Sequence, residues 1–251
     1  MNNKQFRPAA VPLITVDPYF SIWSMNDNLY DGVTRHWTGR RNPMTAGVVI
    51  DDKLYILMGE EAADSDRRSY GYYPVIPQTS LEVMPTRTIY KFQNDIVKAE
   101  LIFTSPLLLD NLKIMTRPVS YIEYKVEPID GREHNIQFYF DISAECCIDD
   151  RTAEIEFKRS DVSLACGNTV QNILGKSGDS VCIDWGYLHL ADKNAKVFNG
   201  YNRWCIKNDN VDELNENNKF TLYKEIPCLG ILKNELSGVI TLAYDLSLIH
   251  I

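Results

Sequence analysis

At 251 residues the chain is long enough for one large β domain or two small ones, and either buries a sizeable core. Hydrophobic residues make up 45% of it, the proportion of a folded soluble protein. Lys and Arg number 26 against 34 Asp and Glu, a formal net charge of −8 that repels phosphate backbones and argues against a nucleic-acid binder.

The first residues, MNNKQFRPAAVPL, hold no apolar core of a signal peptide, which points to the cytoplasm, or to a secreted or periplasmic protein if the true start lies upstream. No apolar run approaches the roughly 18 residues that span a bilayer, so no membrane partner is expected. Two aromatic clusters follow, DPYFSIWS (Asp17–Ser24) and TRHWTG (Thr34–Gly39). GVVIDDKLYILMG then reads as two strands about an Asp51-Asp52-Lys53 turn. Residues 60–78, EEAADSDRRSYGYYPVIPQ, begin charged and end rich in Tyr and Pro, long enough for a functional loop. TRTIYKF, VKAELIFTS, YIEYKVE, NIQFYFDIS and AEIEFKR alternate apolar and polar residues, as half-buried strands do. In NIQFYFDIS, for example, Ile136, Phe138, Phe140 and Ile142 face one way and Gln137, Tyr139 and Asp141 the other. VCIDWGYLHLA, KFTLYKEI and GVITLAYD complete the series, and residues 208–219 read as a polar loop. No long stretch carries apolar residues at helical spacing. The prediction is an all-β antiparallel sandwich with few or no long helices. Residues 1–60 would form an aromatic-rich segment packing on a sandwich of residues 61–245.

The motifs that carry chemistry are sparse. GKS at Gly175–Ser177 resembles the end of a phosphate loop, but Val170 stands where that loop needs glycine, and a hairpin turn is the better reading. The six cysteines show no C-x-x-C and no clustered zinc spacing, so they read as small buried hydrophobes; no metal or other cofactor is expected. Glu145, Asp149 and Asp150 could serve as paired acids, but a solvated loop after a strand explains them as well. His36, next to Arg35, tends to stay neutral because the neighbouring positive charge disfavours imidazolium. Arg35, His36 and Trp37 therefore suit a ligand lining, a domain contact or simple burial better than catalysis. Arg67, Arg68, Tyr70 and Tyr72 are further loop candidates. Trp185 and Tyr187 would stack on a sugar if exposed and would be core if buried; with Trp37 they keep open a carbohydrate-binding module.

Several segments recur in the order of one family. RPAAVPL, VDPYFSIWS, TRHWTG, PTRTIY, FTSPLL, RPVSY, FYFDISAE and IDWGYL, spread from Arg7 to about Asp245, together resemble the N-terminal region of the glutaminase A family, large proteins of bacteria and fungi. The resemblance implies a supersandwich-like β region followed by a six-hairpin helical toroid that carries the active site. It also implies that the toroid of the same parent protein is the partner of this region. A small amide or glycan substrate would then bind at the junction, the parent would be a hydrolase, and this portion would hold no catalytic residue. After LAYD the pattern breaks into LSLIHI, which resembles translated adaptor read-through, so residues 246–251 are expected to be foreign.

Overall fold

The computed structural model describes residues 8–60, 73–200, 212–223 and 225–246. Among them the chain runs β1 (Val11–Thr15), β2 (Ser21–Ser24), β3 (Asp31–Gly32), β4 (Arg35–His36), β5 (Met44–Ile50), β6 (Lys53–Glu60), β7 (Gln78–Met84), β8 (Arg87–Gln93) and β9 (Val97–Thr104). One short helix, α1 (Leu112–Met115), precedes β10 (Val119–Pro128) and β11 (Ile136–Ser143), and a 3-10 turn, Ala144–Cys147, follows. Then come β12 (Ile155–Arg159), β13 (Leu164–Asn168), β14 (Tyr187–Leu190), β15 (Lys196–Asn199), β16 (Glu213–Leu214), β17 (Pro227–Lys233) and β18 (Ser237–Asp245).

The strands form an all-β sandwich. One sheet has the order β12-β13-β14-β18-β10-β9-β8-β7, the other β16-β15-β17-β11-β5-β6-β3, and β1-β2-β4 make a third, small sheet. Period-two patterning explains the first: in β10, Ile122, Tyr124 and Val126 are buried while Lys125 is exposed. Tyr124 stacks on Phe138 of β11, ring centroids 3.8 Å apart, and so ties one large sheet to the other. Burial pushes the Tyr124 hydroxyl up to about 12. Val11, Leu13, Ile14, Phe20 and Ile22 of the small sheet join the same core. The hairpin between β5 and β6 closes on Asp51 and Asp52, both at positive φ, the two-residue turn that suits the twist of paired strands.

Three expectations change. The centre of the second sheet is buried on both faces: every residue of β5 and β11 is buried, because Tyr139 joins Val49, Leu54, Ile56 and Phe198 in a second cluster behind the sheet. There the alternation separates two interiors, and Asp141 on the outer one is bonded by the Tyr139 hydroxyl. VCIDWGYLHLA is strand only over Tyr187–Leu190, because Gly186 takes φ +78 and breaks the extended run before it. Among its described residues KFTLYKEI keeps a single bridge, Ile155 to Phe220.

The register places several connections at one end of the molecule. β18 finishes at Asp245 opposite Tyr187, the first residue of β14. Ala243 pairs with Val119, the first residue of β10. Thr104 at the end of β9 pairs with Arg87 at the start of β8. The connections 105–118 and 169–186 therefore share the end at which β18 finishes. The turn after β1 joins them, since the Thr15 N–H donates to the Ser105 hydroxyl at 3.1 Å and Tyr19 packs edge-on to Trp185.

Candidate functional site at the β18 end of the sandwich

TRHWTG forms a tight reversal. Gly39, at φ +92, donates its N–H to the His36 carbonyl, and His36 donates to the Arg40 carbonyl. Arg35 then bridges Arg41. This three-residue turn with glycine in the left-handed position brings Arg35, Arg40 and Arg41 to one place.

His36 is buried and fully engaged. Its Nε2 lies 2.9 Å from the Pro18 carbonyl, which only accepts, so Nε2 carries the proton. Nδ1 then accepts from the Thr38 hydroxyl at 2.8 Å and the Thr38 N–H at 3.3 Å. Burial holds the imidazole below its ordinary value, against the opposing pull of the Pro18 carbonyl and Asp17. Its neutrality thus comes from burial and not from Arg35. With both ring nitrogens used, His36 pins the turn to the Asp17–Phe20 segment and has no nitrogen to spare for proton transfer. Trp37 donates its indole N–H to the same Pro18 carbonyl at 2.8 Å, yet its side chain stays 57% exposed.

The other candidates divide. Trp185 is only 8% exposed and packs into the main core, so it offers no open face to a sugar. The Tyr187 ring lies against Gly167, carries the Lys158 ammonium 4.0 Å from its centroid, and bonds Glu156 through its hydroxyl at 3.0 Å. Arg67, Arg68, Tyr70 and Tyr72 lie outside the described residues.

Of the acidic cluster, Asp150 is exposed as a solvated loop would have it, but Glu145 and Asp149 are not. Glu145, in the 3-10 turn, is buried, and its carboxylate lies 3.4 Å from the Arg41 Nε. Asp149 accepts the Cys182 N–H at 2.9 Å and pairs with Lys176 at 2.9 Å, while its carbonyl takes Arg40. Burial opposes the Asp149 charge, but the Cys182 N–H and Lys176 outweigh it and hold the carboxyl below its ordinary value. GKS is thus no hairpin turn: it lies within a long connection between β13 and β14, and its lysine binds Asp149. Cys146, Cys147, Cys166, Cys182 and Cys228 are buried free thiols, and burial drives Cys182 to about 12, far from a reactive thiolate.

Together these groups border a cleft of about 270 Å³ lined by Arg35, Gly39, Arg40, Arg41, Glu145, Ile148, Arg151, Ser180 and Leu222. Sequence reading found only Arg35 and Glu145 of its charged lining. The signals for the rest were the Arg40-Arg41 pair directly after TRHWTG and Arg151 directly after the acids.

The same end of the sandwich carries an apolar surface. The connection 105–118 exposes Leu107 at 59%, Leu108 at 50%, Leu109 at 73% and Leu112 at 66%. Helix α1, capped by the Asn111 side chain on the Ile114 N–H, buries none of its residues. Ile173 and Leu174, in the connection 169–186, are also exposed.

The sequence model of a domain of unknown function, DUF5127, matches residues 86–232, more than half of the chain. The chain belongs to the DUF5127 family. A second domain of unknown function, DUF4964, matches residues 1–66. Among curated proteins, the chain is similar to "Glutaminase A" of Aspergillus oryzae (strain ATCC 42149 / RIB 40), with 32% identity over 155 residues. That match covers 59% of this chain and 21% of the relative, so the chain spans about a fifth of the length of the relative it matches. The family member described here is therefore glutaminase-related, and it fits an N-terminal region of a larger glutaminase-like protein.

Proposed function

We propose that this chain is the non-catalytic β-sandwich portion of a glutaminase-like hydrolase, and that the β18 end docks on a helical catalytic domain of the same parent protein. The observation that carries this reading is α1 with its neighbours. Leu107, Leu108 and Leu109 stand in water on the connection before α1, and Leu112 on α1 itself, beside the strand end at Asp245 where following chain would emerge. Four leucines exposed within six residues are expensive in water unless another surface covers them. Trp37 and the His36 turn stand at the same end, which fits Arg35, His36 and Trp37 as domain-contact residues.

The test is to read the native locus past the codon for Asp245 and assay both products for release of ammonia from glutamine. The reading expects no turnover by the 251-residue chain and turnover by a longer product. Turnover by this chain alone would overturn the non-catalytic role. A sugar-binding reading would rest on Trp37, whose ring keeps an exposed face, and it requires glycan binding that Trp37→Ala abolishes.

A further inference from the structure

The cleft beside the TRHWTG turn has a charge arrangement that docking through leucines does not require. Four guanidiniums line it against one carboxylate, in a protein of net charge −8. Two of the four are tied: Arg41 to Glu145, and Arg40 to the Asp149 carbonyl with the Asp149 carboxylate 4.0 Å away. Arg35 and Arg151 are not. Arg35 gives one hydrogen bond to the Gly39 carbonyl at 2.9 Å, and Arg151 one to the Leu222 carbonyl at 3.4 Å. Neither has a carboxylate partner among the described residues. Each guanidinium has five N–H donors in a planar fork, so most of both forks remain open. The Ser180 hydroxyl, held only by a 3.5 Å contact to the Thr38 carbonyl, adds a weakly committed donor on the same wall.

Like charges gathered on one cleft raise the energy of the empty site, and an anion between them lowers it. Guanidinium forks match the planar geometry of carboxylate and phosphate oxygens and bind them in pairs of parallel hydrogen bonds. The buried Glu145 and the half-buried Asp149 hold Arg41 and Arg40 in place, so the wall is set before a ligand arrives. The cleft volume lies just below the range typical of drug-sized ligands and suits a small molecule. We propose that this cleft binds a small dianionic oxyanion, a dicarboxylate or a phosphate, with Arg35 and Arg151 as its principal ligands. Arg35 belongs both to this cleft and to the proposed domain contact, but anion binding needs no second domain, so a titration of the 251-residue chain tests the cleft separately from docking.

The experiment is calorimetric titration of the full 251-residue chain with succinate and, separately, with inorganic phosphate, at constant ionic strength because screening weakens any charge attraction. One-to-one saturable heat is expected for at least one of the two. Arg35→Gln with Arg151→Gln should weaken it by about tenfold or more, and Arg132→Gln, on a distant turn, should not change it. Binding of succinate alone assigns a carboxylate ligand, of phosphate alone a phosphate ligand, and of both a general oxyanion site. Matching thermal melts show that the variants fold. Should the double variant not fold, the single Arg151→Gln, at an exposed position, must still weaken binding. Absence of saturation with both anions up to about 10 mM, or binding that survives loss of these arginines, would overturn the proposal.

Discussion

The two ends of the sandwich solve the problem of turning strands around in opposite ways. At the far end, turns are tied by polar side chains. His134 bonds Asp51 at 2.6 Å and Asp130 at 2.9 Å, linking the β5–β6 turn to the segment before β11. Asn94 accepts the N–H groups of Ile96 and Val97 and closes the β8–β9 turn. At the β18 end, the equivalent connections are longer, display leucines and Trp37, and border an arginine cleft. An end closed by its own polar bonds needs nothing further. An end that leaves apolar side chains and guanidiniums uncovered is built to be met by something else.

The largest expected effect tests how tightly the β18 end is assembled. A Cβ on Gly186 would come within 2.4 Å of the Asp245 carbonyl and 3.0 Å of the Tyr244 ring, at φ +78. Gly186→Ala should cost about 3 kcal/mol or more, read as a lowered denaturation midpoint. A smaller cost, roughly 2 kcal/mol, is expected for His36→Ala, which strips the Pro18 carbonyl of one donor and leaves Thr38 without its acceptor.

Protons should act on the ends in opposite directions. His134 sits above its ordinary value of 6.5, through its bonds to Asp130 and then Asp51, and both carboxyls sit below theirs. A raised histidine stabilises fully below about pH 6.5, and that contribution fades as pH rises through the raised folded value. The carboxyl contributions fade as pH falls through their lowered values. His134→Gln should therefore lower the melting temperature more at pH 6 than at pH 9, and an equal loss at both would contradict the clamp. His36 is the reverse: lowered by burial, it favours the fold above about pH 6.5, and that contribution falls away on acidification. The smallest effect is on stability at the exposed leucines. Leu108→Ser with Leu109→Ser should change the unfolding free energy by less than about 0.5 kcal/mol, yet reduce binding of an apolar fluorescent dye.

Much of the sandwich could be read from the sequence because period two survives wherever one sheet face meets water, as in β8, β9 and β10. It failed where that premise failed. β11 alternates between two interiors, so Tyr139 and Asp141 resembled an outer face. Gly186 interrupts a run whose side chains alone look like strand. The TRHWTG turn was legible as a special element, but its neighbours in space were not. Arg40 and Arg41 reach Asp149 and Glu145 across more than a hundred residues, and no local pattern encodes that meeting. Alternation also says nothing about which connections leave leucines uncovered.

The central claim is that the β18 end is a docking surface and the far end is not. Hydrogen–deuterium exchange on the 251-residue chain and on a longer product of the native locus tests it most directly. The account predicts slower exchange in the longer protein across 105–118, 169–186 and the Trp37 turn, with Asp51–Asp52 and the Asp130–Asn135 turn unchanged. Slowing confined to the far-end turns, or no change at the leucines, would contradict it.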